Sequence, residues 1–212
     1  MKNLVNFFHQ IGELKKMPRR GWVIMDIKNG ESIADHVFRA SLMAWILGNE
    51  KKGLKIERVL KMALIHDICE IYAGDITPYD SILPKYSKQR RELMKTWPRF
   101  TKAQKLKISR EKHKKEEKGL DRLTKDLPSD IKKEIKNLWL DYEKGLTPEG
   151  RFFKQTDRIE NILQATEYWE KNKNLSLKPW WDQARELFDE PVLLDFIEEM
   201  DSKFHKKHKP KN

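Results

Sequence analysis

Cysteine is nearly absent. Cys69 is the one cysteine in 212 residues, which excludes an internal disulfide and suits a reducing compartment. Long apolar runs are missing too: none approaches the roughly 18 residues of a membrane span. The first ten residues, Met1-Lys-Asn-Leu-Val-Asn-Phe-Phe-His-Gln, are too polar for a signal peptide. A cytoplasmic protein with no membrane partner is the expectation. Three phosphate chemistries also lack their signatures. No Gly-x4-Gly-Lys-Ser/Thr occurs to cradle a triphosphate. No Asp-x-Asp occurs for an aspartyl-phosphate mechanism, and Asp75 stands where a cysteine phosphatase built on Cys69 would want an arginine.

What is abundant is charge, 36% of residues against 38% hydrophobic, with a net charge of +11. That charge is unevenly placed. Residues 85–118 hold 14 Lys/Arg and 4 Asp/Glu, residues 201–212 hold 5 Lys and 1 Asp, and the remainder is slightly acidic. Basicity therefore belongs to two segments rather than to the body, and any role toward nucleic acid would have to reside there.

No alternation typical of strands is convincing, and the spacing predicts an all-α fold. Leu4, Phe7, Phe8, Ile11 and Leu14 recur at helical intervals over 3–16, before Pro18-Arg19-Arg20-Gly21 breaks the pattern; Trp22 to Asp26 reads as extended or loop. Ser32, with Asp35 three residues on, is a candidate N-cap for a helix carrying Ile33, Val37, Ala40, Ala44 and Leu47 on one face. Ile56 to Ala73 reads as one central helix ended by Gly74. Residues 86–97 and 101–125 read as a charged helical hairpin divided at Trp97-Pro98. Leu127-Pro128-Ser129-Asp130 opens a helix with Ile131, Ile135, Leu138 and Trp139 inward. Thr147-Pro148-Glu149 is a strong start signal for a helix reaching about Trp169, and Pro179 and Pro191 precede two shorter ones. Residues 1–200 are read as one domain with a charged insertion at 85–125, and 201–212 as a basic tail.

Within the central helix the apolar run Met62, Ala63, Leu64, Ile65, Ile68 and Ile71 is interrupted by His66 and Asp67 side by side. Burying an ionised carboxylate without a partner costs several kcal/mol or more, so the pair needs a reason, and a metal ion is the simplest. Glu70 follows His66 by four positions and Asp67 by three, on nearly the same wall. His36 and Asp157 each sit beside an apolar helical face. Two imidazoles and two carboxylates suit a divalent cation such as Mn²⁺, Fe²⁺, Co²⁺ or Zn²⁺, and a cation with open positions activates water for hydrolysis.

Four segments in order carry a family resemblance: Pro18-Arg19-Arg20-Gly21-Trp22, Glu31-Ser-Ile-Ala-Asp-His36, His66-Asp67-Ile-Cys-Glu70-Ile-Tyr-Ala-Gly74-Asp75-Ile76-Thr77-Pro78, and the run from Lys154 through Asp157 to Tyr168. Over about residues 1–85 and 128–170 the chain resembles the HD-domain 5′-deoxynucleotidases. The resemblance implies an HD-domain helical bundle and a metal-dependent phosphohydrolase, in which a metal-bound water removes the 5′-phosphate of deoxyribonucleoside 5′-monophosphates. His36, His66, Asp67 and Asp157 fall on the family's ligands for a divalent cation (Mn²⁺, Co²⁺, Fe²⁺, Zn²⁺ or Mg²⁺). Glu70 and Asp75 fall on its acidic pair, which assists proton transfer or, in some relatives, holds a second cation with the Ile76 carbonyl. Arg19 falls on the arginine that orients the phosphate, Trp22 on an aromatic that crowds the sugar 2′ position, and Thr77 with the substrate. The partner implied is a small nucleotide, and the family allows a homodimer. Two other readings stand beside this one: the same chemistry on a triphosphate, cyclic dinucleotide or RNA end, and a nucleic-acid-binding protein whose metal only ties helices together.

Overall fold

The computed structural model describes residues 1–96, 98–173 and 175–204. Trp97 and the tail with His205 and His208 therefore lie outside the described residues. Among those described, every named element is helical, and the only β feature is an isolated antiparallel bridge between Pro18 and Ser32. No helix there is long and apolar enough to cross a membrane. The helices are α1 (Lys2–Ile11), α2 (Arg20–Ile24), α3 (Ile33–Glu50), α4 (Ile56–Ile65), α5 (Glu70–Ala73), α6 (Ser87–Thr96), α7 (Lys102–Leu123), α8 (Ser129–Lys144), α9 (Pro148–Lys171), α10 (Lys178–Leu187) and α11 (Pro191–Phe204). Two compact units divide them, Met1–Val37 with Leu64–Asn137, and Phe38–Ala63 with Leu138–Asn212.

In the first unit, the helix expected over 3–16 changes character at Gly12. α1 stops at Ile11 and a 3₁₀ stretch, Gly12–Lys16, follows. Of its five apolar positions only Leu14 is buried. The expected extended segment at Trp22 is instead the short helix α2, with the Trp22 and Val23 amides bonded to the Arg19 carbonyl. Trp22 and Ile24 are its buried residues, an i, i+2 spacing that reads as strand in a helix too short to show its own period. Ser32 starts α3 as predicted: the Asp35 amide donates to its hydroxyl at 3.1 Å, and Asp35 Oδ2 accepts from the Ser32 amide at 2.8 Å.

The main correction concerns the central helix. It does not run unbroken from Ile56 to Ala73: α4 ends at Ile65, residues 66–69 form a turn, and α5 begins at Glu70. Backbone bonds there close over three residues, Ile68 to Ile65 at 3.3 Å, Glu70 to Asp67 at 3.0 Å and Tyr72 to Cys69 at 3.1 Å. Three-residue closure brings side chains three apart into line, so Asp67 and Glu70 share a wall. Leu64, expected inside, is exposed. Gly74 ends α5 at φ +76° and ψ 157°, a region only glycine occupies readily, and so sets the position of Asp75.

The segment set apart as a charged insertion is anchored at its C-terminal end. α7 buries Glu116, Gly119, Leu120 and Leu123, and packs on α5. Gly119 permits the approach: a Cβ there would stand 2.6 Å from the Cys69 carbonyl oxygen and 3.3 Å from the Ala73 amide.

In the second unit, Thr147 caps α9 by accepting from the Gly150 amide at 3.1 Å, with Pro148 in the first turn, as the start signal predicts. Phe152, Phe153, Ile159, Ile162 and Ala165 are buried. Buried Asp141 ties three elements together, accepting from Arg58 at 2.6 Å and from the Thr147 hydroxyl at 2.6 Å and amide at 2.9 Å. Arg39 on α3 bonds to Glu160 at 2.8 Å and Glu167 at 2.7 Å, and also to Gln164, all on α9. On α8, Leu138 and Trp139 of this unit are buried; of its residues in the first unit Ile135 is buried, whereas Ile131, expected inward, is exposed.

Substituting Gly119→Val forces two branched methyls against backbone that carries the His66–Ala73 segment. Overpacking of this kind costs about 1–3 kcal/mol. A thermal melt should show the loss, and an unchanged midpoint would mean that α7 and α5 separate easily.

Candidate metal centre and its acidic neighbours

His36 stands in the first turns of α3, and His66 and Asp67 lead the turn after α4; all three are buried. The Nε2 atoms of the two imidazoles face each other at 3.3 Å. Asp67 Oδ2 lies 3.2 Å from His66 Nε2 and 3.7 Å from His36 Nε2. Ligand atoms sharing an ion at bonds of about 2.1 Å sit about 3.0 Å apart at right angles and about 3.4 Å apart in a tetrahedron. Two of the three separations, 3.2 and 3.3 Å, fall in that range, and the third, 3.7 Å from Asp67 to His36, is a few tenths of an ångström wider. The residues fit a divalent cation with a small closing movement of that carboxylate, and these three form a group able to hold one.

The carboxylate is charged. Burial alone would push Asp67 up, but His66 first, then Arg19 and His36, outweigh burial and hold it well below the usual carboxylate range. Arg19 Nη1 donates to Asp67 Oδ2 at 2.9 Å and lies 3.7 Å from Asp75 Oδ2. Glu70 goes the other way. It is 1% exposed, its Oε2 has no hydrogen-bond partner, and burial, then the charges of Asp67 and Asp75, push it well above the usual range. Two carboxyls three residues apart are thus driven in opposite directions, the arrangement that separates an acid from an anion.

Asp75 Oδ2 also accepts from the Arg20 amide at 2.7 Å. Arg20 Nε donates to Asp80 at 2.8 Å, and the Thr77 amide and hydroxyl both donate to Asp80 Oδ2, at 2.8 and 3.0 Å. Asp80 is the residue that sequence reasoning missed. Its signal was available in Thr77-x-x-Asp80, the spacing of a side-chain cap. The Trp22 ring is buried, with its Nε1–H donating to Glu31 at 2.8 Å. Cys69 is buried, and burial pushes its thiol up. Asp157 lies on α9 in the second unit, where its Oδ2 accepts from the Tyr142 hydroxyl at 2.9 Å.

This is an all-helical protein with a buried His/His/Asp cluster flanked by an arginine and two further carboxyls. The chain belongs to the HD domain family, which it matches over residues 11–188. It is 34% identical over 95% of its length to 5′-deoxynucleotidase HDDC2 of Bos taurus, covering 85% of that protein. It is 31% identical over 93% of its length to 5′-deoxynucleotidase hdd1 of Schizosaccharomyces pombe, covering 88% of that protein. Among solved structures it resembles a conserved hypothetical protein from Pyrococcus furiosus, at 27% identity and a TM-score of 0.64, with 92% of this chain and 97% of that one covered.

A cation bound to the cluster stabilises the fold by mass action, about 2.7 kcal/mol at a hundredfold excess over Kd. Adding Mn²⁺ or Co²⁺ to metal-stripped protein should raise the melting temperature, and His36→Ala with His66→Ala should abolish the rise. An equal rise in that variant would place the ion elsewhere. A second expectation concerns Glu70 in the metal-free protein. A carboxyl raised above its unfolded value, about 4.3, loses stability as pH climbs from there through the folded value. Glu70→Gln should therefore gain on the wild type as pH rises from 5 to 8 in urea unfolding, whereas a constant difference would contradict the shift.

Proposed function

We propose that this chain is a metal-dependent 5′-deoxynucleotidase, hydrolysing deoxyribonucleoside 5′-monophosphates to deoxynucleoside and inorganic phosphate. The observation that carries this reading is the facing of two imidazoles and an ionised carboxylate on one point, beside Arg19, in a chain whose near-full-length relatives bear that name. His36, His66 and Asp67 hold the cation, and the fourth ligand in this reading is Asp157, on sequence grounds alone. Mn²⁺, Co²⁺, Fe²⁺, Zn²⁺ and Mg²⁺ are the candidate ions. When bound, such an ion supplies Lewis-acid chemistry, activating water near neutral pH and offsetting charge on a phosphoryl oxygen.

The other residues divide the remaining work. Arg19 keeps the Asp67 carboxylate ionised and turned toward the imidazoles, and its fixed positive charge orients the substrate phosphate. Glu70, which burial and the charges of Asp67 and Asp75 hold toward its protonated form, delivers a proton to the 5′ oxygen as the P–O bond breaks. Asp75, positioned by Gly74 and by the Arg20 amide, takes the proton from the attacking water. Trp22, braced by Glu31, limits room at the sugar 2′ position, and Thr77 acts by holding Asp80 and through it Arg20.

Phosphate release from a panel of ribo- and deoxyribonucleoside 5′-monophosphates, run with each metal, tests this directly. Hydrolysis of the deoxy substrates should vanish in His66→Ala. Arg19→Ala should lose on the order of 2 kcal/mol of transition-state binding, about thirtyfold in kcat/KM. Trp22→Ala should narrow the preference for deoxyribose. Release no greater than that of His66→Ala on every substrate would refute the assignment.

A further inference from the structure

The N-terminal two-thirds of α7 is absorbed neither by the fold nor by the metal centre. From Lys102 to Lys115 it buries no residue. A capping box nevertheless fixes its start, the Thr101 hydroxyl accepting from the Gln104 amide at 3.2 Å and the Gln104 side chain accepting from the Thr101 amide at 2.8 Å. The helix is therefore formed and mostly exposed, with only Ile108, Lys112 and His113 half-buried along the side that leads to Glu116.

Its charges are sorted. Glu116 is met by Lys112 at 3.3 Å, and Glu117 and Asp121 are both met by Lys136, at 3.3 and 3.2 Å. With those three acids neutralised within the unit, Lys107, Arg110, Lys114 and Lys118 stay exposed, none in an ion pair among the described residues, and Glu111 is the one exposed acid among them. They recur three, four and four residues apart, one stripe on the side of the helix opposite Gly119, Leu120 and Leu123. Along the axis they span about 16 Å at about 1.5 Å per residue. Like charges at these intervals oppose helix formation by about 0.2–0.5 kcal/mol each, and Glu111, four residues after Lys107 and three before Lys114, offsets only part of that, so local helix stability does not account for four cations.

We infer that this stripe is a binding surface for the phosphodiester backbone of a nucleic-acid strand, separate from the metal centre and independent of the phosphatase reading. A strand carries one charge per roughly 3.4 Å of length, so a 16 Å stripe faces about five phosphates with four cations and one carboxylate, Glu111. The opposite face of the helix is buried in the protein in its second half, which leaves no apolar side to enter a lipid headgroup layer as an amphipathic membrane helix does. Recognition is of backbone charge and carries no base preference.

The test is fluorescence anisotropy of a labelled twenty-nucleotide oligothymidylate with the full chain, over a range of KCl. Four contacts to a single strand predict a slope of log K against log salt of about −3, roughly a fiftyfold loss between 50 and 200 mM. The variant K107Q/R110Q/K114Q/K118Q should bind at least about tenfold more weakly at 50 mM with a flatter slope. A charge-matched control, K28Q/K52Q/K133Q/K144Q, should bind like the wild type, and circular dichroism should show all three proteins equally helical. Undiminished binding by the stripe variant overturns the proposal and moves the contact to another basic segment. So does an absence of binding at 50 mM KCl, and so does binding to phosphatidylserine vesicles, through the same four residues, in place of the oligonucleotide.

Discussion

The structure turns on a buried negative charge. Asp67 lies inside the first unit and is ionised there, which is tolerable only because His66, Arg19 and His36 converge on the same side chain. Removing any one of these partners leaves a buried charge short of compensation, the costliest kind of defect a core can carry. The surrounding features follow from keeping that oxygen aimed. The backbone leaves α-helical geometry at His66, closes over three residues to Glu70, and is pressed from behind by Gly119 of α7.

The same constraint divides the acidic residues by role. Asp67 is held anionic by positive neighbours, whereas Glu70, three residues on and more deeply buried, is held toward its protonated form by burial and by Asp67 itself. One turn of chain thus holds one carboxyl as an anion and a second toward its protonated form. Arg19 stands between them: it bonds Asp67 at 2.9 Å, lies 3.7 Å from Asp75, and its charge opposes the upward push on Glu70. Asp80, Thr77 and Arg20 form a supporting layer through side-chain bonds that lock the loop after Gly74.

Much of this was legible in the residues alone. Thr147-Pro148 and Ser32 marked two helix starts because capping chemistry is local and needs no knowledge of the fold. His36, His66 and Asp67 stood out because polar side chains on apolar faces demand compensation wherever they are. Other features were hidden for physical reasons. The break at 66–69 leaves the apolar spacing almost unchanged, so periodicity cannot separate it from a continuous helix. α2 is a turn and a half long and buries two residues two apart. The anchoring of α7 rests on Gly119 and a buried Glu116, in a stretch whose composition reads as solvated, and burial there is set by a neighbour about fifty residues away in sequence.

X-ray absorption at the metal edge of the Zn²⁺- or Co²⁺-loaded protein tests the central claim most directly. A first shell of nitrogen and oxygen only, at about 2.0–2.2 Å, with the outer-shell scattering of two imidazole rings, is the result expected from His36, His66 and Asp67. A sulfur shell at about 2.3 Å, or a spectrum with no imidazole scattering, would contradict it.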